Sequence, residues 1–454
     1  MNLANIVNLQ REYFYSGQTK TYNFRISNLK KLRKIIEESE DDILLALSKD
    51  LGKSNFESYT TEVFLLYEEI DMAIENLKNW MNPIKEKTPF TAKPAKSYSL
   101  YEPLGLTLII SPWNYPFQLA MDPLIGAVAA GNTVILKTSR KSKETFKLIR
   151  SILNNNFNPE FIYVVDNDKV SHDELLSYNY DHIFYTGGST VGKTIMEKAS
   201  KNLSNVTLEL GGKSPTIVEK DANMSLAARS IAWGNTVNAG QTCVSPDYIL
   251  VNASIKDRFI KELEKALFEF YGEDPLLSDD YPKIINDDHL YKLVDLLDGQ
   301  DIIYGGRYNS DTLKLEPTIV DNVDFDNKLM EEEIFGPIFP IITYTNLNQM
   351  LYKVKTMPKP LALYLFTEDE RIKENVMYNM EFGNGMVNGT LMMVSNPYLA
   401  FGGVGYSGQG SYHGYYGFQN FSNRKSIMLA NGHFDVKTKY PPYDNGKLNL
   451  IKKL

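Results

Sequence analysis

The chain has 454 residues, long enough to prompt two or three domains with separate cores. Hydrophobic residues make up 43% and charged residues 23%, an ordinary globular balance, and a net charge of -8 with a pI near 5.4 argues against a nucleic-acid partner. The first residues, MNLANIVNLQREYF, lack the basic start and long apolar middle of a secretion signal, and the apolar stretch PLIGAVAAGNTVIL over 123–136 is too short to cross a bilayer. The expectation is a cytoplasmic protein without a transmembrane segment.

Residues 1–80 read as helices. NFRISNLKKLRKIIEES places apolar residues three and four apart, Gly52 closes one segment, and TEVFLLYEEIDMAIENLKNWM runs on until Pro83. A Pro-, Lys- and Thr-rich stretch follows up to 104, ending in the alternating SYSLYEP, and reads as an extended excursion toward another domain or subunit. LGLTLIIS is then a continuous apolar run, as for a strand buried on both faces. Helix MDPLIGAVAAG, strand NTVILK, helix KETFKLIRSILNNNF and strands FIYVV, DHIFYT and VTLEL come next, with helical VGKTIMEKASKNL before the last. A second alternating region holds strands SPTIVE, YILVN, DIIYGG, FPIITY and LALYLF, and helices SLAARSIAWGNTV, KDRFIKELEKALFEFYG and NLNQMLYKVKTMP. The tail is rich in Gly, Tyr and Asn and reads as an arm. Such alternation predicts an α/β protein: a doubly wound parallel-sheet domain from 1–82 and 105–210, a second α/β domain at 211–395, and a small bridging part from 83–104 and 396–454.

Cys243 is the only cysteine, so no intramolecular disulfide forms. Its neighbours in NAGQTCVSPDY are polar, which is wrong for a core cysteine and right for a nucleophile whose thiolate must be favoured or generated by a base. Glu209 ends a strand in VTLELGGKSP, where Gly211 and Gly212 permit close backbone approach to a ligand, so it is a candidate base; the bland alternative is a strand-end Glu in solvent. Asn114 in SPWNYPFQLA is a candidate donor to a developing oxyanion, or an Asn turn flanked by Pro112 and Pro116. GGSTVGKT, residues 187–194, has two functional readings. It matches the phosphate-loop pattern letter for letter, with Lys193 on phosphates, Thr194 on magnesium and Glu219 or Asp221 to complete the metal site of a nucleotide triphosphatase. It also suits a glycine-rich turn and helix start lying against a dinucleotide, although G-x-G-x-x-G is absent. Five scattered histidines and one cysteine show no metal-ligand spacing.

PWNYP, TGGSTVG, ELGGKSP, GQTC, EEIFGP and FGGVGYSGQG occur in the order seen in the aldehyde dehydrogenase superfamily, and FYGEDP, SYHG and YPPY resemble its short, class 3-like branch of fatty and aromatic aldehyde dehydrogenases. The resemblance runs from about residue 10 to 445 and favours the dinucleotide reading of 187–194. It implies that the first domain binds NAD or NADP, the second is catalytic, and the bridging part joins a homodimer. By similarity, Cys243 attacks the aldehyde, Asn114 and the Cys243 backbone N–H hold the oxyanion, and Glu209 activates the water that hydrolyses the thioester. The presence of Glu209 argues against a branch that ends its cycle with coenzyme A. Lys137 matches the lysine of the adenosine ribose; Trp113, Thr186, Gly187, Ser189 and Gly192 match positions along the dinucleotide; Glu333 and Phe335 match those of the nicotinamide ribose and ring. Tyr115, Trp233, Thr242 and Phe401 are the expected walls of a largely apolar aldehyde pocket, and His413 supports the pocket or an interface.

Two departures fall on the adenosine side. The family's Lys-Pro-Ser-Glu is here Lys137, Thr138, Ser139, Arg140, which replaces an acid that repels a 2′-phosphate by an arginine that suits one. VVDNDK, from residue 164, stands where relatives often carry Gly-Gly, so a reshaped loop is expected beside the cofactor.

Overall fold

A computed structural model describes residues 2–453. Helices Leu3–Tyr15, Tyr22–Glu38, Glu40–Leu51 and Phe64–Trp80 occupy the N-terminal region. In the second of these, Leu29, Leu32, Ile35 and Ile36 are buried, the three-and-four spacing that gives a helix one apolar face. Gly52 takes a left-handed conformation and its N–H caps Ser48, which ends the third helix.

The first sheet orders its strands Gly408–Gln409, Asn205–Glu209, His182–Thr186, Leu106–Ile110, Thr133–Lys137 and Ile162–Val164; all are parallel except the two-residue edge strand. Its central strands are buried along their whole length, because helices cover both faces. Leu106, Leu108 and Ile110 pack on one side with Leu3, Ile6 and Ile195, while Ile109, Leu136 and Phe184 face a larger core that includes Leu29, Leu66 and Leu124. The second sheet orders Asp301–Tyr304, Thr318–Asp321, Ile338–Tyr344, Tyr248–Asn252, Pro215–Val218, Ala362–Phe366 and Asn384–Val387, and only its first strand is antiparallel. A third sheet is antiparallel: Ser422–Leu429 pairs residue for residue with Lys96–Pro103, which also pairs with Ile84–Glu86.

Several elements differ from the sequence reading. Thr318–Asp321 and Asn384–Val387 are strands too short to show a period. The tail is only partly an arm: Gly408–Gln409 joins the first sheet beside Glu209, and helix Gly414–Asn420 packs on helix Gln118–Ala130. Glycine-rich sequence hid both, since neither carries an amphipathic pattern. Among the described residues, no helix is long and apolar enough to cross a membrane.

Asn114, Lys137, Thr186 and Glu209 all lie at or just past the carboxyl ends of first-sheet strands. That edge is where open parallel sheets gather ligands.

Candidate active site

Helix Met224–Thr236 runs into the turn Val237–Gly240, where Asn238 and Ala239 both have φ near +50°. Left-handed residues with a Cβ cost on the order of 1 kcal/mol each, so the surroundings must hold them. A network does so. The Asn238 side-chain amide donates to the carbonyls of Asn114 (2.7 Å) and Gln241 (3.1 Å), and the Gln241 amide donates to those of Asn238 (2.9 Å) and Lys283 (3.0 Å). Asn114 donates one amide N–H to Gln241 O at 3.0 Å, which leaves it a second N–H. Gly240 lies where a Cβ would come within 2.4 Å of the Gly336 carbonyl carbon, so only glycine lets the two loops touch. Beyond it, Thr242 shares a 2.6 Å hydrogen bond with the Tyr115 hydroxyl, and Cys243 stands half-buried. The oxyanion candidate and the nucleophile candidate are therefore parts of one rigid assembly.

Burial, reinforced by the charges of Glu333 and Glu209, pushes the Cys243 thiol up to about 12. Glu209 is 3% exposed, and neither carboxylate oxygen meets a hydrogen-bond donor of the protein. Burial, with the charge of Asp122, holds its carboxyl well above the usual range. Glu333 presses on the double glycine: a Cβ on Gly211 would lie 1.9 Å from its Oε2. Burial, chiefly, and the charge of Asp247 raise it to about 8. Lys213 fixes this loop, since its ammonium meets Asp247 and donates to the carbonyls of Leu329 (2.7 Å) and Glu332 (2.9 Å), while Asp247 accepts from the Ile334 N–H at 2.9 Å. Phe335 takes a positive φ of 58°, its carbonyl meets His289 Nε2 at 2.8 Å, and its ring stands edge-on to Trp113 with centroids 5.4 Å apart.

The adenosine-side candidates gather around Asn167. Lys137 is buried, and its ammonium donates to Asn167 Oδ1 (3.1 Å) and Val170 O (3.2 Å); burial, chiefly, lowers it to about 8. Arg140 is exposed and its guanidinium donates to the Asn167 carbonyl, while the Asn167 amide donates to Thr138 O at 2.9 Å. The VVDNDK departure thus supplies the residue that organises both cations. Thr186 ends its strand, and a Cβ on Gly188 would meet nothing within 4 Å, so the turn before helix Ser189–Ser200 is open for a ligand. Gly192 has a different part: a Cβ there would lie 2.9 Å from Leu210, so this glycine seats the helix on the sheet. An open glycine turn at a helix start, buried and exposed cations beyond it, and a carboxylate and aromatic pair at the far end fit a nicotinamide dinucleotide. They do not form a phosphate loop. The helix begins at Ser189, so Lys193 and Thr194 lie inside it with exposed side chains, and Glu219 and Asp221 bond within the second sheet's surroundings, to Tyr344 and Thr367.

Of the pocket candidates, Tyr115, Thr242 and Phe401 are partly or fully buried, whereas Trp233 is 38% exposed on its helix and is not a core residue. Beside Phe401 lies a polar cluster of which the sequence singled out only His413. His413 stacks on the Phe401 ring at 5.2 Å and meets Asp122 at 3.2 Å; Gln118 donates to the same Asp122 oxygen at 3.0 Å; Glu69 accepts from the Gly414 N–H. These buried polar groups line a small cleft with Leu65 and Val394, so this wall is not apolar. The pairing joins residues hundreds of positions apart, and only the family's SYHG hinted at it.

Comparison with known proteins agrees with this geometry. Residues 5–427 match the aldehyde dehydrogenase family. The chain is 45% identical to 4,4'-diaponeurosporen-aldehyde dehydrogenase of Staphylococcus aureus, covering 97% of this chain and 96% of that one. It is 41% identical to a dog protein named aldehyde dehydrogenase, dimeric NADP-preferring, with 97% and 98% covered. The solved structure of a substrate-bound Staphylococcus aureus AldH superposes with a TM-score of 0.97 at 44% identity, covering 100% and 99% of the two chains. The chain belongs to the aldehyde dehydrogenase family, in its class 3-like branch, and oxidises an aldehyde with NAD or NADP.

Proposed function

We propose that Cys243 is the nucleophile, Asn114 the oxyanion donor and Glu209 the base that prepares water. The observation that carries this is the shared assembly in which Asn114 and the Cys243 loop are bonded to one another while Glu209 stands buried with both oxygens free. The Cys243 sulfur attacks the aldehyde carbon as its S–H proton passes to water, and the alkoxide of the thiohemiacetal is held by the free Asn114 amide N–H and the Cys243 backbone N–H. A nicotinamide held beside Phe335 and Trp113 would supply the acceptor for the hydride of this carbon, which would leave a thioester on Cys243. Glu209 removes a proton from water, hydroxide adds to the thioester, the C–S bond breaks, and the acid departs. Burial of Glu209 makes its ionised form a stronger base than an exposed carboxylate.

For the cofactor, Lys137 and Arg140 serve the adenosine ribose and a 2′-phosphate, the Thr186–Ser189 turn serves the pyrophosphate, and Glu333, Phe335 and Trp113 border the nicotinamide end. Tyr115, Thr242, Phe401 and Trp233 line the path of an apolar aldehyde. The division we infer is 1–82 with 105–210 for the cofactor, 211–395 for catalysis, and 83–104 with the parts of 396–454 outside the first sheet for bridging. A homodimer accords with the dimeric dog relative and with the exposed sheet strand Ser422–Leu429; a monomer in sedimentation would remove it. The test of the site is nicotinamide absorbance with an aldehyde panel and each cofactor. Reduction is expected with the parent and not with Cys243→Ala, and a Cys243→Ala protein that turns over normally ends the proposal.

A further inference from the structure

The N-terminal helices reach the active site through one irregular turn. Helix Asn55–Ser58 passes into Tyr59–Val63, where the Phe64 N–H bonds to Tyr59 O, five residues back, before helix Phe64–Trp80 resumes. Five residues apart on a regular α-helix, two side chains diverge by about 140°. The widened turn brings Glu57 and Glu62 toward one side. Each carboxylate captures backbone of a different catalytic loop. Glu57 Oε1 accepts from the N–H of the left-handed Asn238 at 2.8 Å. Glu62 Oε2 accepts from the N–H groups of Phe117 (2.9 Å) and Gln118 (3.2 Å), just after Asn114 and Tyr115. Its other oxygen meets the Lys53 ammonium at 2.7 Å, and both side chains are 0% exposed. That ammonium also lies 4.1 Å from the centre of the Tyr115 ring, whose hydroxyl bonds to Thr242 beside Cys243.

We propose that Lys53, Glu57 and Glu62 are positioning residues for the oxyanion site: the widened turn sets the distance between the Asn114 loop and the Cys243 loop. The inference rests on the roles proposed for Asn114 and Cys243. None of the three side chains needs to touch the aldehyde. Their effect passes through Asn238, which bonds both loops, and through the first turn of helix Gln118–Ala130. Misplacement of a reacting group by about 1 Å costs on the order of 100-fold in rate.

Glu57→Ala, Glu57→Gln and Glu57→Asp would be compared for kcat, KM and cofactor Kd by fluorescence quenching. Glu57→Ala is expected to lower kcat by about 10- to 100-fold with cofactor Kd unchanged, and Glu57→Gln, whose amide oxygen still accepts from the Asn238 N–H, to stay within about threefold of the parent. A Glu57→Ala enzyme within twofold of the parent, or a Glu57→Gln enzyme as slow as Glu57→Ala, overturns the proposal. If Glu57→Ala does not fold, Glu57→Asp keeps the charge and withdraws the oxygen by one methylene. A loss of about tenfold in its kcat supports positioning and a parental kcat overturns it. In an Asn114→Ala background, Glu57→Ala should cost less than about threefold more, and full additivity overturns the proposal. Normal turnover in Asn114→Ala or Cys243→Ala alone would instead sink the site assignment, so the two failures are distinct.

Discussion

The widened turn at 59–63 and the end of strand Asn205–Glu209 each bring a buried carboxylate to the same site, in opposite conditions. Glu62 has an ammonium on one oxygen and two backbone N–H groups on the other. Glu209, equally sunk in the protein, has no donor on either oxygen. A buried charge with donors on both oxygens holds its surroundings in place. One without partners is expensive to ionise and, once ionised, ready to take a proton. The difference separates a carboxylate that builds the site from one suited to work in it.

Three measurements would sharpen or break that contrast. Glu209→Gln should lower steady-state turnover by about 10²- to 10⁴-fold while still giving one equivalent of reduced cofactor per site in a first-turnover burst, because the thioester forms and is not hydrolysed. The pH dependence follows from the direction of the shift. Burial moves the Glu209 carboxyl's titration upward from its ordinary range, so the base form, and kcat with it, should grow as pH rises. The Gln variant should lose that limb, and a retained limb would assign it to another group. Lys53→Met should cost about 3–5 kcal/mol of stability in denaturant unfolding, since it strands the Glu62 charge; a loss below about 1 kcal/mol would mean that Glu62 does not need its partner. The smallest effect is at the adenosine end. Lys137 is buried among neutral acceptors, whereas Arg140 is exposed, with its guanidinium bonded to the Asn167 carbonyl and other N–H groups facing solvent. Arg140→Glu should lower the NADP/NAD ratio of kcat/KM by about tenfold. An unchanged ratio would leave Arg140 a surface residue.

Much of the site was open to sequence reading because its parts sit inside ordered motifs at strand ends. Glu209 precedes the double glycine that Glu333 presses against, Asn114 lies between aromatic residues after an apolar run, and Cys243 lies in a short polar stretch. The supporting residues were not open to it. An inserted helical residue leaves the apolar period of 59–80 almost unchanged, so the turn that unites Glu57 with Asn238, 181 positions away, has no local signature. Asn167 looked like a departure from the family and became meaningful only with Lys137 and Arg140 around it. Asp122 and His413 meet across the fold, and no periodicity records such a pair.

Two carboxylates beside a half-buried sulfur have a consequence for the enzyme at rest. Burial pushes the thiol well above its ordinary range, so the thiolate is a minor form near neutral pH. Peroxides and disulfides attack thiolates, so between turnovers the protein's single sulfhydryl is a poor target for oxidative damage. The environment that raises the thiol also slows its oxidation.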